Sequence, residues 1–187
     1  GARLFDAGHE SAGVTAPATS WFLAEGATGP FFDLFVLVAN PSASPARVRA
    51  TYLLPDGSTL SRDYEVSPQS RFNIWADYED ARLADTAVST ILDSVDGVPI
   101  IVERAMWWGT GGHWYEAHNS PGATTTGTLW GLAAGEAGGP RGTATYVLVA
   151  NTSDGPAAIR VRLLFEDGTT AERTFAVAGR SRYNVDV

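Results

Sequence analysis

The sequence contains one pattern twice, and this duplication limits the folds open to the chain. Val36-Leu37-Val38-Ala39-Asn40 recurs as Val147-Leu148-Val149-Ala150-Asn151, at an offset of 111 residues (147 − 36). Nearer the N-terminus of each copy the offset is 109 (130 − 21). The change from 109 to 111 indicates a small insertion in the second copy, between two stretches that match the first copy. Such matches identify a tandem repeat. The further matched pairs are Asp56-Gly57 with Asp167-Gly168, 70–74 with 181–185, Trp21 with Trp130, and Leu23 with Leu132.

The two copies differ in length. The first copy continues past Ile74 through strand-like segments at 88–92 and 99–108. In the second copy the residue matched with Ile74 is Val185, and the sequence ends two residues later at Val187. The sequence therefore predicts a first repeat over 1–108 and a second repeat over 109–187 that lacks its last two strands. Because the pattern starts and stops part-way, we expect this chain to be a piece of a longer protein.

Alternating apolar residues predict strands throughout. Val48, Ala50 and Tyr52 alternate with polar neighbours, and Asp56-Gly57 supplies a tight hairpin turn, as its counterpart does in the second copy. The only helical candidate is 77–85. The prediction is an all-β chain of tandem Ig-like antiparallel β-sandwich modules, the second of them truncated.

The composition excludes several classes of partner. The net charge of −8 disfavours nucleic acids and anionic membranes, since both require a basic surface. The absence of Cys from the sequence rules out disulfides and zinc–thiolate sites. No apolar run is long enough for a membrane helix, so we expect no membrane insertion. No cofactor is predicted.

Several motifs resemble a bacterial repeat module found in tandem near the C-termini of large secreted or cell-surface proteins. The resemblance covers nearly the whole chain, and it implies a β-sandwich and an extracellular or cell-surface location in bacteria. It brings no catalytic residues. One departure is 133–136, which reads Ala-Ala-Gly-Glu, so the Leu-Ala-Glu-Gly pattern of the first copy is scrambled and no Glu stands at the position of Glu25. The motifs are Trp21-Phe22-Leu23-Ala24-Glu25-Gly26, the Val-Ala-Asn-Pro of 38–41, Asp56-Gly57, the Ile-Val-Glu-Arg-Ala-Met-Trp of 101–107, and the Trp-Tyr-Glu-Ala-His-Asn-Ser of 114–120.

The residues that could perform catalysis are poorly arranged for it. His9–Gly13 resembles an esterase nucleophile elbow, but the following Val-Thr-Ala-Pro does not open a helix. Glu25 and Glu103 are the one carboxylate pair that could cleave a glycosidic bond. In the apolar segment 98–106, either Glu103 or Arg104 should point inward, and we expect a salt bridge from Glu103 to an Arg on a neighbouring strand. The chain is not predicted to be an enzyme.

Metal sites are also not predicted. His113 and His118 are five residues apart, which places them on opposite faces of a strand. The acidic segment lacks the Asp-x-Asp spacing of a calcium loop, so a solvated segment is expected. Its members are Asp77, Glu79, Asp80 and Asp85.

Four aromatic residues near the joint between the copies are the candidate ligand-binding set: Trp107, Trp108, Trp114 and Tyr115. If 107–115 forms a hairpin, Trp107 and Trp108 face opposite sides. The set then either packs between modules or stacks on a ligand such as a sugar ring. Trp21 and Trp130, matched between copies, are predicted to be core residues.

We expect a non-catalytic structural, spacer or adhesive module, with a carbohydrate-binding module that uses the aromatic residues of 107–115 as the alternative. A truncated sandwich leaves open sheet edges. The expected partners are therefore neighbouring repeats of the parent protein, or another copy of this chain, joined through that edge. Residues 1–12 are one candidate donor of the missing strand.

Overall fold

The computed structural model describes residues 8–140 and 142–187, and regular structure in these ranges consists of β-strands and two short 3-10 helices. The strands are β1 (Ser20–Leu23), β2 (Phe32–Asn40), β3 (Ala46–Leu53), β4 (Thr59–Val66), β5 (Ser70–Trp75), β6 (Ser89–Ser94), β7 (Ile101–Thr110), β8 (His113–Pro121), β9 (Tyr146–Asn151), β10 (Ala157–Leu164), β11 (Thr170–Val177) and β12 (Ser181–Asp186).

Strands β1–β8 form two four-stranded antiparallel sheets, which we call the first sandwich. One sheet has the order β1-β6-β3-β4 and the other has the order β5-β2-β7-β8. The central strands are paired on both sides: Val38 of β2 lies opposite Phe72 of β5 and Val102 of β7. The predicted all-β, antiparallel class is confirmed.

The core lies between these two sheets, because every second residue of each strand points inward. Trp21 is fully buried, as predicted, and its indole N–H donates to the carbonyl oxygen of Ile100 at 3.0 Å. This bond satisfies the polar end of a large apolar side chain. Both sheets contribute to one continuous cluster, whose larger members include Leu23, Leu34, Val36, Val48, Tyr52, Ile74, Leu92, Val102 and Met106.

The first sandwich extends past the boundary predicted at Trp108. Gly111 and Gly112 both have positive φ, 64° and 77°, and form a two-residue turn between β7 and β8. β8 then pairs with β7 as the edge strand of the sheet. The glycine-rich stretch is therefore a hairpin turn inside the first sandwich, and the connection to the second copy follows Pro121.

The second unit, β9–β12, consists of two separate strand pairs, β9–β12 and β10–β11. These correspond to β2–β5 and β3–β4 of the first sandwich. The counterpart of β1 carries Trp130, whose side chain is 65% exposed, and it forms no strand. The prediction that Trp130 is a core residue is wrong. In the first sandwich β1 pairs with β6, and the described part of the second unit has no counterpart of β6.

The predicted helical segment is two single turns, Ala76–Tyr78 and Ala81–Leu83. The side chain of Asp80 accepts a hydrogen bond from the backbone N–H of Arg82 at the start of the second turn. Within the described ranges, no helix has the length and apolar character that crossing a bilayer requires.

Candidate functional site

The outer face of the sheet β5-β2-β7-β8 carries a row of aromatic side chains. In β2, Leu34 and Val36 point into the core, so Asp33 and Phe35 point outward. The strand register then sets their neighbours. Phe35 lies opposite Trp75 of β5, Asp33 lies opposite Trp107 of β7, and a bulge after Trp108 pairs Gly109 with Trp114. We call Trp75, Phe35, Trp114 and Trp107 the aromatic strip.

The four rings of the aromatic strip form a continuous chain of contacts across the sheet. The ring centroids of Trp75 and Phe35 are 4.9 Å apart, those of Phe35 and Trp114 are 6.3 Å apart, and those of Trp114 and Trp107 are 5.5 Å apart. Tyr78 extends the row beyond Trp75, at 4.7 Å. These spacings are typical of interacting aromatic pairs.

Asp33 fixes the orientation of two rings in the strip. The indole N–H of Trp75 donates to Oδ1 of Asp33 at 3.1 Å, and the indole N–H of Trp114 donates to Oδ2 at 2.5 Å. A carboxylate has acceptor sites beyond these two bonds. The strip thus combines apolar ring surface with a hydrogen-bond acceptor at its centre.

The two ends of the strip differ in accessibility. Trp75 and Tyr78 are exposed, whereas Trp107 and Trp114 are half-buried. At the Trp107 end, the ring of His9 packs edge-on against Trp107 with centroids 5.0 Å apart. The strip is therefore more open at its β5 end.

The N-terminal segment is held against this outer face. The hydroxyl of Ser11 donates to Glu103 at 3.1 Å and accepts from the side-chain amide of Asn119 at 3.1 Å. Residues 8–12, which were considered as donors to the second unit, thus contact the first sandwich instead. The rest of that candidate donor, residues 1–7, lies outside the described residues.

The structure brings together two of the four aromatic residues singled out from the sequence. Trp107 and Trp114 belong to the strip. Trp108 faces the opposite side, where it packs against the core, and its ring lies 6.0 Å from that of Phe32. The hydroxyl of Tyr115 donates to the carbonyl oxygen of Thr110 at 3.3 Å, away from the strip.

Phe35, Trp75 and Asp33 were not identified from the sequence. A signal for two of them was present, because the alternation of β2 places an aromatic and an acidic residue on the face opposite Leu34 and Val36. The alternation does not show which strands pair with β2. The pairing of β2 with β5 and β7 places Trp75 on one side of β2 and Trp107 on the other.

Glu25 and Glu103 lie on opposite faces of the sheet and cannot form a catalytic pair.

Arg104 points inward with 1% of its surface exposed, and its Nη2 lies 2.8 Å from Oε2 of Glu25. The same nitrogen lies 2.7 Å from Nδ1 of His118. As expected, one of the two charged residues points inward, and it is Arg104. Among the described residues, Glu103 accepts hydrogen bonds from Ser11 and Asn119 rather than pairing with an Arg as predicted. Burial lowers the pKa of Arg104 and, together with the Arg104 charge, that of His118.

The acidic segment is engaged in the fold. The carboxylate of Asp77 accepts from the backbone N–H of Leu34 at 2.9 Å, and burial raises its pKa despite that bond. Asp80 lies 2.8 Å from Arg62 and 3.0 Å from Arg82, and hydrogen bonds from Arg82 lower its pKa to about 2. Among the described residues, no group of three or more His, Asp or Glu side chains could hold a metal ion.

Comparisons with known proteins bear on the fold. No protein-family model matches the chain, and no curated protein matches it significantly. The crystal structure of Thermotoga maritima 1070 is similar with a TM-score of 0.52 and 18% identity, over 57% of this chain and 94% of that one. The Anabaena sensory rhodopsin transducer matches with a TM-score of 0.42 and 20% identity, over 49% of this chain and 91% of its own. The likeness to the Thermotoga maritima protein, at that identity, indicates a related fold.

Proposed function

We propose that the chain is a non-catalytic binding module of a bacterial secreted or cell-surface protein, built from tandem Ig-like repeats, and that the aromatic strip of its first sandwich binds a glycan. The observation that carries this proposal is the continuous row of rings on an outer sheet face, with the Asp33 carboxylate at its centre.

The chemistry of the strip suits a sugar chain. The C–H faces of pyranose rings pack on aromatic rings, and sugar hydroxyls donate to carboxylates. The exposed rings of Trp75 and Tyr78 offer stacking surface at the β5 end, and Phe35 continues the row of rings from there across the sheet. The net charge of −8 disfavours anionic polysaccharides, so the ligand is a neutral or cationic glycan.

The aromatic strip of the first sandwich differs in sequence from the matched positions of the second unit. In the second unit, Tyr146 stands at the position of Phe35, Asp186 at that of Trp75, and Ala144 at that of Asp33. Residues that build turns and core are matched between the copies, whereas Trp75 and Asp33 are not. Because the strand pattern persists in the second unit without Trp75 and Asp33, the fold does not require these two residues, which supports a role for them in binding.

The test is affinity electrophoresis in gels that contain one neutral polysaccharide each, such as a β-glucan, a xylan or a mannan. We expect at least one of them to retard the wild-type chain, and Trp75→Ala to abolish that retardation. Trp130→Ala is the matched control, because Trp130 is an exposed tryptophan outside the strip. Circular dichroism establishes that each variant is folded. Equal retardation of Trp75→Ala and wild type would rule out the strip as the binding surface.

A structural or spacer role in an array of repeats is the second candidate. It is favoured by the contact between the units, where Arg182 of β12 donates to the carbonyl oxygens of Gly26 and Val88 in the first sandwich. In that role, neighbouring repeats or a second copy of the chain complete the second unit along β9 and β10, which each pair on one side only within the described ranges 8–140 and 142–187. A chain that is strictly monomeric and has a fully protected second unit in hydrogen exchange would contradict this completion.

A further inference from the structure

The strand β8 closes the first sandwich, although by sequence it belongs to the start of the second copy. Three residues at the end of β8 and just after it match three residues near the N-terminus at the offset of 109 (118 − 9). The matched pairs are His118 with His9, Ser120 with Ser11, and Gly122 with Gly13. The segment that leads into the second copy therefore supplies the edge strand of the sandwich before it.

The matched residues of β8 are those that face the interior of the first sandwich. Arg104 Nη2 donates to Oγ of Ser120 at 3.0 Å and lies 2.7 Å from Nδ1 of His118. A Cβ added at Gly122 would lie only 3.1 Å from Cε3 of the buried Trp21, so this position requires a residue without a side chain. The three positions alternate along the chain, as residues on one face of a strand do.

The counterpart segment, residues 8–13, has the same inward-facing pattern without that role in this chain. It forms no strand and is mostly exposed, and no described atom lies within 4 Å of a Cβ added at Gly13. It contacts the first sandwich through Ser11, which bonds to Glu103, and through His9. These contacts do not require glycine at position 13.

We propose that residues 8–13 form the closing strand of another repeat that resembles the first sandwich, and pair with its β7 as residues 117–122 lie beside β7 here. The partner is the preceding repeat of an array, in which each leading segment closes the sandwich before it. This inference rests on the array role proposed above and does not depend on glycan binding. His9 and Ser11 then contact the buried arginine of the partner, and Gly13 packs on its core tryptophan.

The chemistry of the segment favours a β7 edge over the open edges of β9 and β10. A buried guanidinium such as Arg104 needs hydrogen-bond acceptors, and the histidine and serine supply them beside the Glu25 carboxylate. The inward-facing residues of β9 and β10 are apolar, as Val149 and Ile159 show. Opposite these residues, the same histidine and serine would be buried without polar partners, which is unfavourable.

Strand complementation tests this proposal. In the acceptor chain, a Gly-Ser segment of equal length replaces residues 113–122, and Gly13→Val keeps the chain's own leading segment from competing. We expect a synthetic peptide of residues 1–16 to bind this acceptor and to slow hydrogen exchange of β7 to its rate in the wild-type chain, because it supplies the missing strand. The same peptide with Gly13→Val should not do so, since its valine would collide with Trp21 of the acceptor.

A peptide of residues 111–124, which contains β8 itself, gives the full protection for comparison. Failure of the 1–16 peptide to protect β7 would overturn the proposal, whether or not the acceptor chain is folded before the peptide is added. Equal protection by the Gly13→Val peptide would also overturn it. Completion of the second unit along β9 and β10 is measured in the unmodified chain, so failure of that array role is distinguished from failure of this contact.

Discussion

The first sandwich and the second unit share a sequence pattern but reach different degrees of completion. In the first, β2 and β3 are each paired on both sides and enclose a core in which Trp21, Val36 and Tyr52 have no exposed surface. In the second, β9 and β10 have one partner strand each among the residues that the structure describes, and alternate residues of β10, such as Ile159 and Val161, are half-buried. A local sequence pattern is therefore enough to form strands and hairpins, whereas closure of the core depends on β6, β7 and β8.

The matched tryptophans Trp21 and Trp130 differ strongly in burial between the two units. Replacement of Trp21 by Ala removes a fully buried side chain and should lower the free energy of unfolding of the first sandwich by about 3–5 kcal/mol. The same change at Trp130, which is 65% exposed, should stay within about 0.5 kcal/mol. Urea denaturation followed by circular dichroism measures both. Similar losses for the two variants would mean that the second unit is completed in solution.

The matched asparagines should behave more alike. The side-chain amide of Asn40 donates to the carbonyl oxygens of Ser44 and Val66 at 2.9 and 3.0 Å, and that of Asn151 donates to Gly155 and Ala178 at 3.0 and 2.9 Å.

Asn40→Ala should cost about 1–3 kcal/mol of unfolding free energy, because it leaves buried carbonyls without a donor. Asn151→Ala should act in the same direction but more weakly, since water reaches more of the second unit. Hydrogen exchange in peptides from each unit reports the two effects separately. A larger effect at Asn151 would contradict the described difference in burial.

The smallest expected effect depends on pH and falls on the first sandwich alone. His118 has a native pKa below its ordinary value of 6.5, because its half-exposed ring is partly desolvated and lies beside the Arg104 cation. Between these two pKa values the unfolded chain binds more protons than the native chain, so stability falls as pH decreases through about 6.5. The second unit, β9–β12, has no histidine.

The measurement is the difference in melting temperature between about pH 7.5 and about pH 5.5, a window in which histidine titrates. We expect His118→Gln to show a smaller decrease than wild type. An unchanged decrease in this variant would assign the pH dependence to other groups. The carboxylates whose pKa is lowered, such as Asp80, lose their contribution to the free energy of unfolding only at more acidic pH.

Much of the fold was predictable because its signals are local. Alternation predicted β3, β4, β10 and β11, and the Asp-Gly turns predicted the hairpins that join them. The glycine-rich 109–112 was harder to place, since the same residues suit an interdomain joint and a two-residue turn. The candidate site was half predictable: Trp107 and Trp114 were identified, but the exclusion of Trp108 required knowledge of which face of β7 covers the core.

The repeat follows from a comparison of two stretches of sequence. The strand periodicity, the turns and the all-β class were predictable because each depends on residues close together in the chain. Three features required the three-dimensional structure: the exposure of Trp130 although the matched Trp21 is buried, the pairing of Arg104 with Glu25, and the position of Asp33 between two tryptophans. These outcomes depend on strand neighbours separated by tens of residues, and a pattern of period two specifies a face without specifying what lies against it.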